Sequence, residues 1–392
     1  MTAALETAAT DAVDFGLTQE QELLRQELRR FGEERIRPGV AERDARREFP
    51  LEIFRQLGEM GLLGCFVPER WGGAGFDLVS YAVAIEEIAR ACPSVAVTVS
   101  VTNSVCCWPI LQFGSDEVRD TALRELAGGE TLGGFGLTEP SSGSDVASMR
   151  ARARREGDEW VLDGEKAWIT NAGHARWYVV FARTGEAGAH GISAFVVAAD
   201  APGFSVGASE HKLGLRASQT AAIFFNGCRI PAGNLLGREG QGFKIAMATL
   251  DHSRIGIAAQ AVGIHQRALE LAAGYARDRR QFGKPIAEHQ AIQMKIAQMA
   301  TELEAARALT RAAAALADSG GKDAARFASQ AKLYASEAAN RACWESLQIH
   351  GGNGFSDEYE ISKLYRDVRV TAIYEGTSEM QRLVIARRLL RG

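Results

Sequence analysis

From Thr18 onward the chain carries two hydrophobic rhythms in turn. Leu23, Leu24, Leu28 and Phe31 fall at helical spacing, the mark of a helix with one buried face. Thr18 ahead of Glu20, Gln21 and Glu22 predicts where it starts. A hydroxyl caps the free N–H groups, and the acidic first turn meets the positive end of the helix dipole. Pro38 marks a break. Leu51, Phe54, Leu57 and Met60 repeat the pattern up to Gly61. Trp71-Gly72-Gly73-Ala74-Gly75 predicts a loop, and Tyr81 to Ala89 a further helix with Glu86 and Glu87 on its polar side.

Beyond about residue 131 the rhythm shortens. Trp160-Val161-Leu162 and Lys166-Ala167-Trp168-Ile169 flank Asp163-Gly164, which predicts a hairpin with a tight glycine turn. Ala222 to Phe225 and Cys228 to Ile230 flank Asn226-Gly227 and predict a second. Trp177 to Phe181 and Ile192 to Val197 are short, β-branched and aromatic, as strands are. From about residue 242 the helical period returns in a stretch rich in Ala, Leu, Gln, Glu and Arg. Ile255 to Tyr275, Ile286 to Ser319 and Asp323 to His350 are long enough to pack as an antiparallel bundle. Glu379 to Leu390 predicts a last helix. The class is therefore α+β. It has an N-terminal helical domain (1–131), a middle β-domain (132–241) and a C-terminal four-helix-bundle-like domain (242–392).

Composition sharpens this picture mostly by exclusion. At 392 residues with 46% hydrophobic and 24% charged residues, the chain can bury a large core without disulfides or metal. A net charge of −4 and a pI near 6.1 argue against a nucleic-acid partner. The six cysteines form no C-x-x-C pair and no His stands at metal-ligand spacing from them, so the expectation is free thiols in a reducing cytoplasm and no metal. Residues 1–20 carry Glu6, Asp11, Asp14 and Glu20 and no Lys or Arg, unlike a secretory leader. Cys92 to Ser115 is uncharged and long enough to cross a bilayer. Its Pro, Ser, Thr, Asn and Gln content instead predicts a helix packed inside the protein, with no membrane partner.

Five segments could carry chemistry. Gly136 to Asp145 is a loop of hydroxyls and small residues that offers N–H and O–H groups to an anionic or heteroaromatic ligand, or is a plain linker. Trp168-Ile169-Thr170-Asn171 sets an indole beside a hydroxyl, which suits a flat ring or a core. Arg279-Arg280-Gln281-Phe282-Gly283 reads as a phosphate clamp or as helix-end charge. Gln348 to Gly354 permits close backbone approach, or caps a helix. In Tyr374-Glu375-Gly376-Thr377-Ser378-Glu379, Glu375 follows the apolar run Val370 to Ile373. It is a general base of raised pKa or a solvated helix-start carboxylate.

Taken in order and spacing, these segments resemble the acyl-CoA dehydrogenases over essentially the whole chain. Gly136 to Asp145 is similar to that family's first signature. Gln348 through Gly351-Gly352 and Gly354-Phe355 to Arg366-Asp367 is similar to its second. The resemblance implies FAD as cofactor and an acyl-CoA substrate. Phe135, Leu137, Thr138 and Ser144 would line the flavin and acyl-CoA site, and Trp168, Ile169 and Thr170 would be flavin contacts. Arg279, Gln281 and Phe282, with Gln348, Gly351 and Gly352, would reach the FAD of a neighbouring subunit. Thr377 and Glu379 would hold FAD on the catalytic side. Asp251, Arg254, Tyr374 and Gly376 would serve the substrate.

Members of the family place the base in one of two positions. One is the Glu of a Tyr-Glu-Gly-Thr segment, here Glu375. The other lies on the helix that carries Asp251-His252-Ser253-Arg254, where this chain has Ser253. The resemblance therefore implies Glu375 as base and a short-chain, butyryl-CoA-type enzyme. It further implies a homotetramer built as a dimer of dimers, with electrons passing to an electron-transferring flavoprotein. The same fold also leaves open an oxygen-using oxidase, or action on branched, alicyclic or carrier-protein-bound acyl groups.

Overall fold

The computed structural model describes residues 16–390, so Glu6, Asp11 and Asp14 lie outside the described residues. The N-terminal helices are α1 (Gln19–Phe31), α2 (Val40–Arg46), α3 (Leu51–Glu59), α4 (Leu78–Ala91), α5 (Pro93–Val101), α6 (Trp108–Phe113), α7 (Asp116–Val118) and α8 (Arg124–Ala127). Strands β1 (Leu132–Gly136), β2 (Arg152–Glu156), β3 (Glu159–Thr170), β4 (Ala175–Arg183), β5 (Ile192–Ala198), β6 (Phe204–Ser209), β7 (Thr220–Pro231) and β8 (Leu235–Leu236) follow. The chain then runs through α9 (Gly242–Asp278) and a small hairpin of β9 (Arg280–Gln281) and β10 (Lys284–Pro285). It ends in α10 (Gln290–Asp318), α11 (Ala324–His350), α12 (Glu360–Val368) and α13 (Ser378–Leu390).

The first helix begins as its sequence dictates. The Thr18 hydroxyl accepts the Gln21 N–H at 3.2 Å, and the Gln21 side chain accepts the Thr18 N–H at 3.0 Å. That reciprocal cap satisfies donors that would otherwise be left free. The uncharged Pro93–Phe113 run has the length and apolarity of a membrane span, but 89% of its most apolar 18-residue window is buried inside the fold. A buried Asn103 helps fix it there, accepting the Cys65 N–H at 2.8 Å and donating to the Leu62 carbonyl at 2.8 Å.

Glu86 and Glu87 are not on a solvated face. Both are buried. Glu87 takes a two-pronged contact from Arg29, both prongs at 3.0 Å, and Glu86 meets Arg307 of α10 at 2.8 Å. The reason is that α4 is enclosed by helices from both ends of the chain, so even its polar side is interior. Gly263 allows the closest approach: a Cβ there would lie 2.2 Å from the Glu86 carbonyl oxygen of α4. One apolar core accordingly joins Leu28, Phe54 and Ile85 to Ile255, Leu303 and Ala335.

Strands β1 to β8 form one sheet in the order β6-β7-β3-β2-β4-β5-β8, with β1 parallel to β4. Neither predicted glycine hairpin exists. β3 runs straight through Asp163-Gly164, and β7 through Asn226-Gly227. The two dipeptides face each other as a bulge. Leu162 pairs with Cys228 but Gly164 with Phe225, and the Gly227 N–H donates to Asp163 Oδ1 at 2.7 Å. Gly164 (φ +131°) and Gly227 (φ +59°) supply positive φ for a bulge rather than a turn. The same residue chemistry serves both, which is why the short-range signal misleads. Trp177 to Phe181 and Ile192 to Val197 do lie in strands, β4 and β5.

Candidate active site

The segment from Ile373 to Thr377 leaves the bundle as a turn between α12 and α13. Glu375 (φ +54°) and Gly376 (φ +85°) are consecutive left-handed residues there. For Glu375 this conformation is unfavourable and must be imposed by its surroundings. The Ser253 hydroxyl of α9 donates to Glu375 Oε2 at 2.6 Å. Burial drives the Glu375 carboxyl above its ordinary value, while the Ser253 hydrogen bond and the charges of Arg254 and Lys332 pull the other way without cancelling it. A half-buried carboxylate of raised proton affinity is therefore aimed from a rigid turn. The Ser253 hydroxyl of α9 orients that carboxylate.

Beside Glu375, Arg254 is buried, donates to Ser329 at 3.0 Å and pairs with Asp251, which also meets Arg388 of α13 at 3.3 Å. Tyr374 donates to Gln260 and packs with Val370, Phe135 of β1 and Leu215 on a small apolar cluster of Val97, Val101 and Val105. Phe135 and the Glu375 turn, some 240 residues apart in sequence, thus meet on α5.

The hydroxyl-rich loop is organised by a buried ion pair. Lys166 Nζ lies 2.7 Å from Glu139 Oε1, and the Glu139 oxygens also accept the Arg150 and Ala151 N–H groups at 2.6 and 2.9 Å. Burial alone would raise Glu139, but Lys166 and these hydrogen bonds hold it below the usual carboxylate range. Leu137 is buried, Thr138 half-buried and Ser144 exposed. The Ala167 N–H donates to the Thr138 carbonyl at 2.9 Å, which lays Thr138 against the strand that carries Trp168 and Thr170. Trp168 has φ +62° and an indole 61% exposed, a flat face with little packed on it. Ile169 points the other way, into the sheet core, and can offer a ligand only its backbone.

Six further expected residues sit where α9 and α11 end. Arg279, Gln281 and Phe282 on the β9–β10 hairpin are exposed, Phe282 at 93%. Gln348, Gly351 and Gly352 are exposed where α11 ends. Tyr275 links the two groups. Its ring stacks on His350 at 4.3 Å, and its hydroxyl accepts from Asn353 at 3.0 Å, one turn before Arg279. Thr377 caps α13 by accepting the Met380 N–H at 3.3 Å, and Glu379 is exposed in the same turn.

Several residues carried no signal of their own. Phe66, Trp108 and His252 form an aromatic wall next to Ser253, with His252 stacked on Trp108 at 4.8 Å and set edge-on to Phe66 at 5.0 Å. Burial drags the His252 imidazole down to about 3, so it is neutral at physiological pH. Tyr81 of α4, hydrogen-bonded to Ser100 at 3.0 Å, faces the Glu375 charge. Lys332 and Gln381 bind the turn itself. The only legible hint for Lys332 was a lysine in the otherwise apolar stripe Ala328, Ala331, Ala335 and Ala339.

Three domain models of acyl-CoA dehydrogenase match the chain: the N-terminal domain on residues 18–130, the middle domain on 134–228 and the C-terminal domain on 240–390. The chain is 49% identical over 376 residues to the mitochondrial short-chain specific acyl-CoA dehydrogenase of Homo sapiens, spanning 96% of this chain and 91% of that protein. It superposes on butyryl-CoA dehydrogenase from Megasphaera elsdenii with a TM-score of 0.94 at 42% identity, over 96% of this chain and all of that one. A chain in the structure of the electron transferring flavoprotein of Acidaminococcus fermentans gives a TM-score of 0.95 at 42% identity, over 97% and 100% of the two chains.

Proposed function

Because the chain belongs to the acyl-CoA dehydrogenase family, we propose that it oxidises a short- to medium-chain acyl-CoA thioester to the trans-2-enoyl-CoA. Glu375 removes the α-proton. The observation that carries this reading is the Glu375 turn: one half-buried carboxylate of raised proton affinity, oriented by Ser253 where the alternative base would stand.

The residues present fit a flavin. A planar heterocycle laid on the exposed Trp168 indole would cover its open face and bring Thr138 and Thr170 to its edge. FAD bound there supplies the acceptor for the hydride that leaves Cβ, and the chain's own residues do the rest. Glu375 Oε takes the Cα proton, and the raised affinity makes it a stronger base than a carboxylate in water. The left-handed turn fixes the Glu375 N–H as well as its carboxylate, so the N–H can donate to the thioester carbonyl as negative charge develops. The apolar cluster around Val101 and Tyr374 excludes water.

A purified protein that is yellow, releases FAD on denaturation and is bleached by butyryl-CoA without oxygen uptake fits this reading. Oxygen consumption with peroxide formation would assign it to the oxidases instead. A panel from butyryl- to palmitoyl-CoA sets the chain length. Onward transfer to an electron-transferring flavoprotein is read as reoxidation of the bleached enzyme by that partner.

The exposed Arg279, Gln281 and Phe282 support a second copy that completes the site, in a homotetramer built as a dimer of dimers. Exposed Met294, Trp344 and Phe355 add apolar surface to the same bundle. Arg279→Ala is accordingly expected to lower both the flavin-to-protein ratio and the tetramer fraction, since a cation bridging cofactor and subunit boundary stabilises both by linkage. Size-exclusion chromatography read at protein and flavin wavelengths checks this. A fully loaded, unchanged tetramer would reduce Arg279 to a helix-end charge.

A further inference from the structure

Two buried side chains grip the backbone of the Glu375 turn. Lys332 Nζ of α11 donates to the Gly376 carbonyl at 2.7 Å. Gln381 Nε2 of α13 donates to the same carbonyl at 2.9 Å and to the Glu375 carbonyl at 3.1 Å. Both side chains are fully buried. We propose that Lys332 and Gln381 form a clamp that holds this turn left-handed and are positioning residues for proton abstraction by Glu375. The proposal rests on the reading of Glu375 as the base.

Three observations carry it. The first is conformational. Consecutive residues with positive φ turn their carbonyls away from any helical or strand partner, so something else must bind them. Here two side chains from two different helices converge on adjacent carbonyls.

The second is electrostatic. Among the described residues, Lys332 has no carboxylate within ion-pair distance. A buried ammonium without an ion pair is a poor way to stabilise a bundle, and a methionine would fill the same space among Ala328, Ala331 and Ala335. The strongest charge acting on it is that of Glu375. Burial lowers Lys332 to about 8, so it is still mainly cationic at neutral pH.

The third is steric. A Cβ on Gly376 would lie 2.8 Å from Gln381 Nε2 and would push that amide aside, and at φ +85° a side chain is itself disfavoured, so a glycine lets the clamp close on the turn.

The groups that face Glu375 come from every side. α9 supplies the Ser253 hydroxyl and the Arg254 cation, α11 supplies Lys332, α4 supplies Tyr81, and Tyr374 belongs to the turn itself. Arg254 is already engaged by Asp251 and Ser329. Removing Lys332 therefore takes away one of two cations that favour the carboxylate. The proton affinity of Glu375 then rises, and because the ionised form is the base, the acid limb of activity moves to higher pH.

The test compares flavin-loaded wild type, Lys332→Met, Lys332→Arg and Gln381→Met. It measures the limiting rate of anaerobic flavin bleaching by butyryl-CoA across pH, alongside crotonyl-CoA binding read from the flavin spectrum. Lys332→Met is expected to bleach about ten- to a hundredfold more slowly, with binding nearly unchanged, because a slightly misplaced base loses rate rather than affinity. Its acid limb shifts upward and Lys332→Arg restores the limb. Gln381→Met, which removes donors but no charge, slows bleaching without moving the limb. A Lys332→Met enzyme with wild-type rate and pH profile would overturn the proposal. If that variant loses its flavin or fold, Gln381→Met decides, since an unchanged rate there overturns the clamp equally. A wild type that no acyl-CoA bleaches is a different failure, that of the functional reading.

Discussion

Glu375→Gln leaves a folded, flavin-loaded protein that binds acyl-CoA and does not turn it over. Gln keeps the side-chain volume, the backbone N–H and an oxygen that can still accept from Ser253, so the turn and its clamp survive. It cannot take the α-proton at neutral pH. Loss of a positioned general base costs about 10²–10⁴-fold in ordinary cases. The loss here should exceed that range. Departure of hydride from Cβ is coupled to departure of the proton from Cα, and the apolar cluster around Val101 leaves no ready path for water to substitute. Stopped-flow bleaching by butyryl-CoA, next to a crotonyl-CoA titration, separates chemistry from binding. Bleaching within about tenfold of wild type would mean another group is the base and would turn attention to α9. In the wild type, the raised proton affinity of Glu375 places the acid limb above the ordinary carboxylate range, with activity falling as pH drops through it.

What the sequence made legible was whatever repeats over a long window or matches a long motif. The α9, α10 and α11 segments were readable because three or more turns of one period outweigh any single residue. The hydroxyl-rich loop and the Glu375 turn were found only by resemblance, since a polar linker and a helix-start carboxylate have the same local composition. Short-range signals did worse. Asp163-Gly164 and Asn226-Gly227 meet the requirement for positive φ in a bulge as well as in a turn, and only cross-strand pairing tells the two apart. Contacts across more than fifty residues have no local signature. Ser253 stood in the sequence as the missing alternative base, and its hydrogen bond to Glu375 emerges only when α9 and the last turn are brought together. Glu86 and Glu87 were misplaced for the same reason: nothing within α4 reveals that α1 and α10 each send an arginine to its polar side.

The buried Glu86–Arg307 pair ties α4 to α10. Arg307→Met is expected to destabilise the protein by about 3–5 kcal/mol, the usual cost of removing one partner from a buried ion pair. Arg307 is 4% exposed and sits among Glu86 at 2.8 Å, Gln266 at 2.8 Å and Glu304. Met fills the stem's volume but leaves the Glu86 carboxylate buried without its cation. Glu304, half-exposed, can turn to water, whereas Glu86 cannot, because Gly263 brings α9 against the α4 backbone at that point. Arg311, one turn further along α10, is buried with Nε unpaired and already feels the Glu86 charge, so it can offset part of the loss. The thermal midpoint of flavin-loaded protein should fall by about 5–10 °C. The double variant Glu86→Met with Arg307→Met should recover more than half of that, because the penalty lies in the orphaned charge rather than in lost packing. A single variant as stable as wild type would show that water or Arg311 satisfies Glu86. A double variant no better than the single would show that Arg307 acts through its contacts and not its charge.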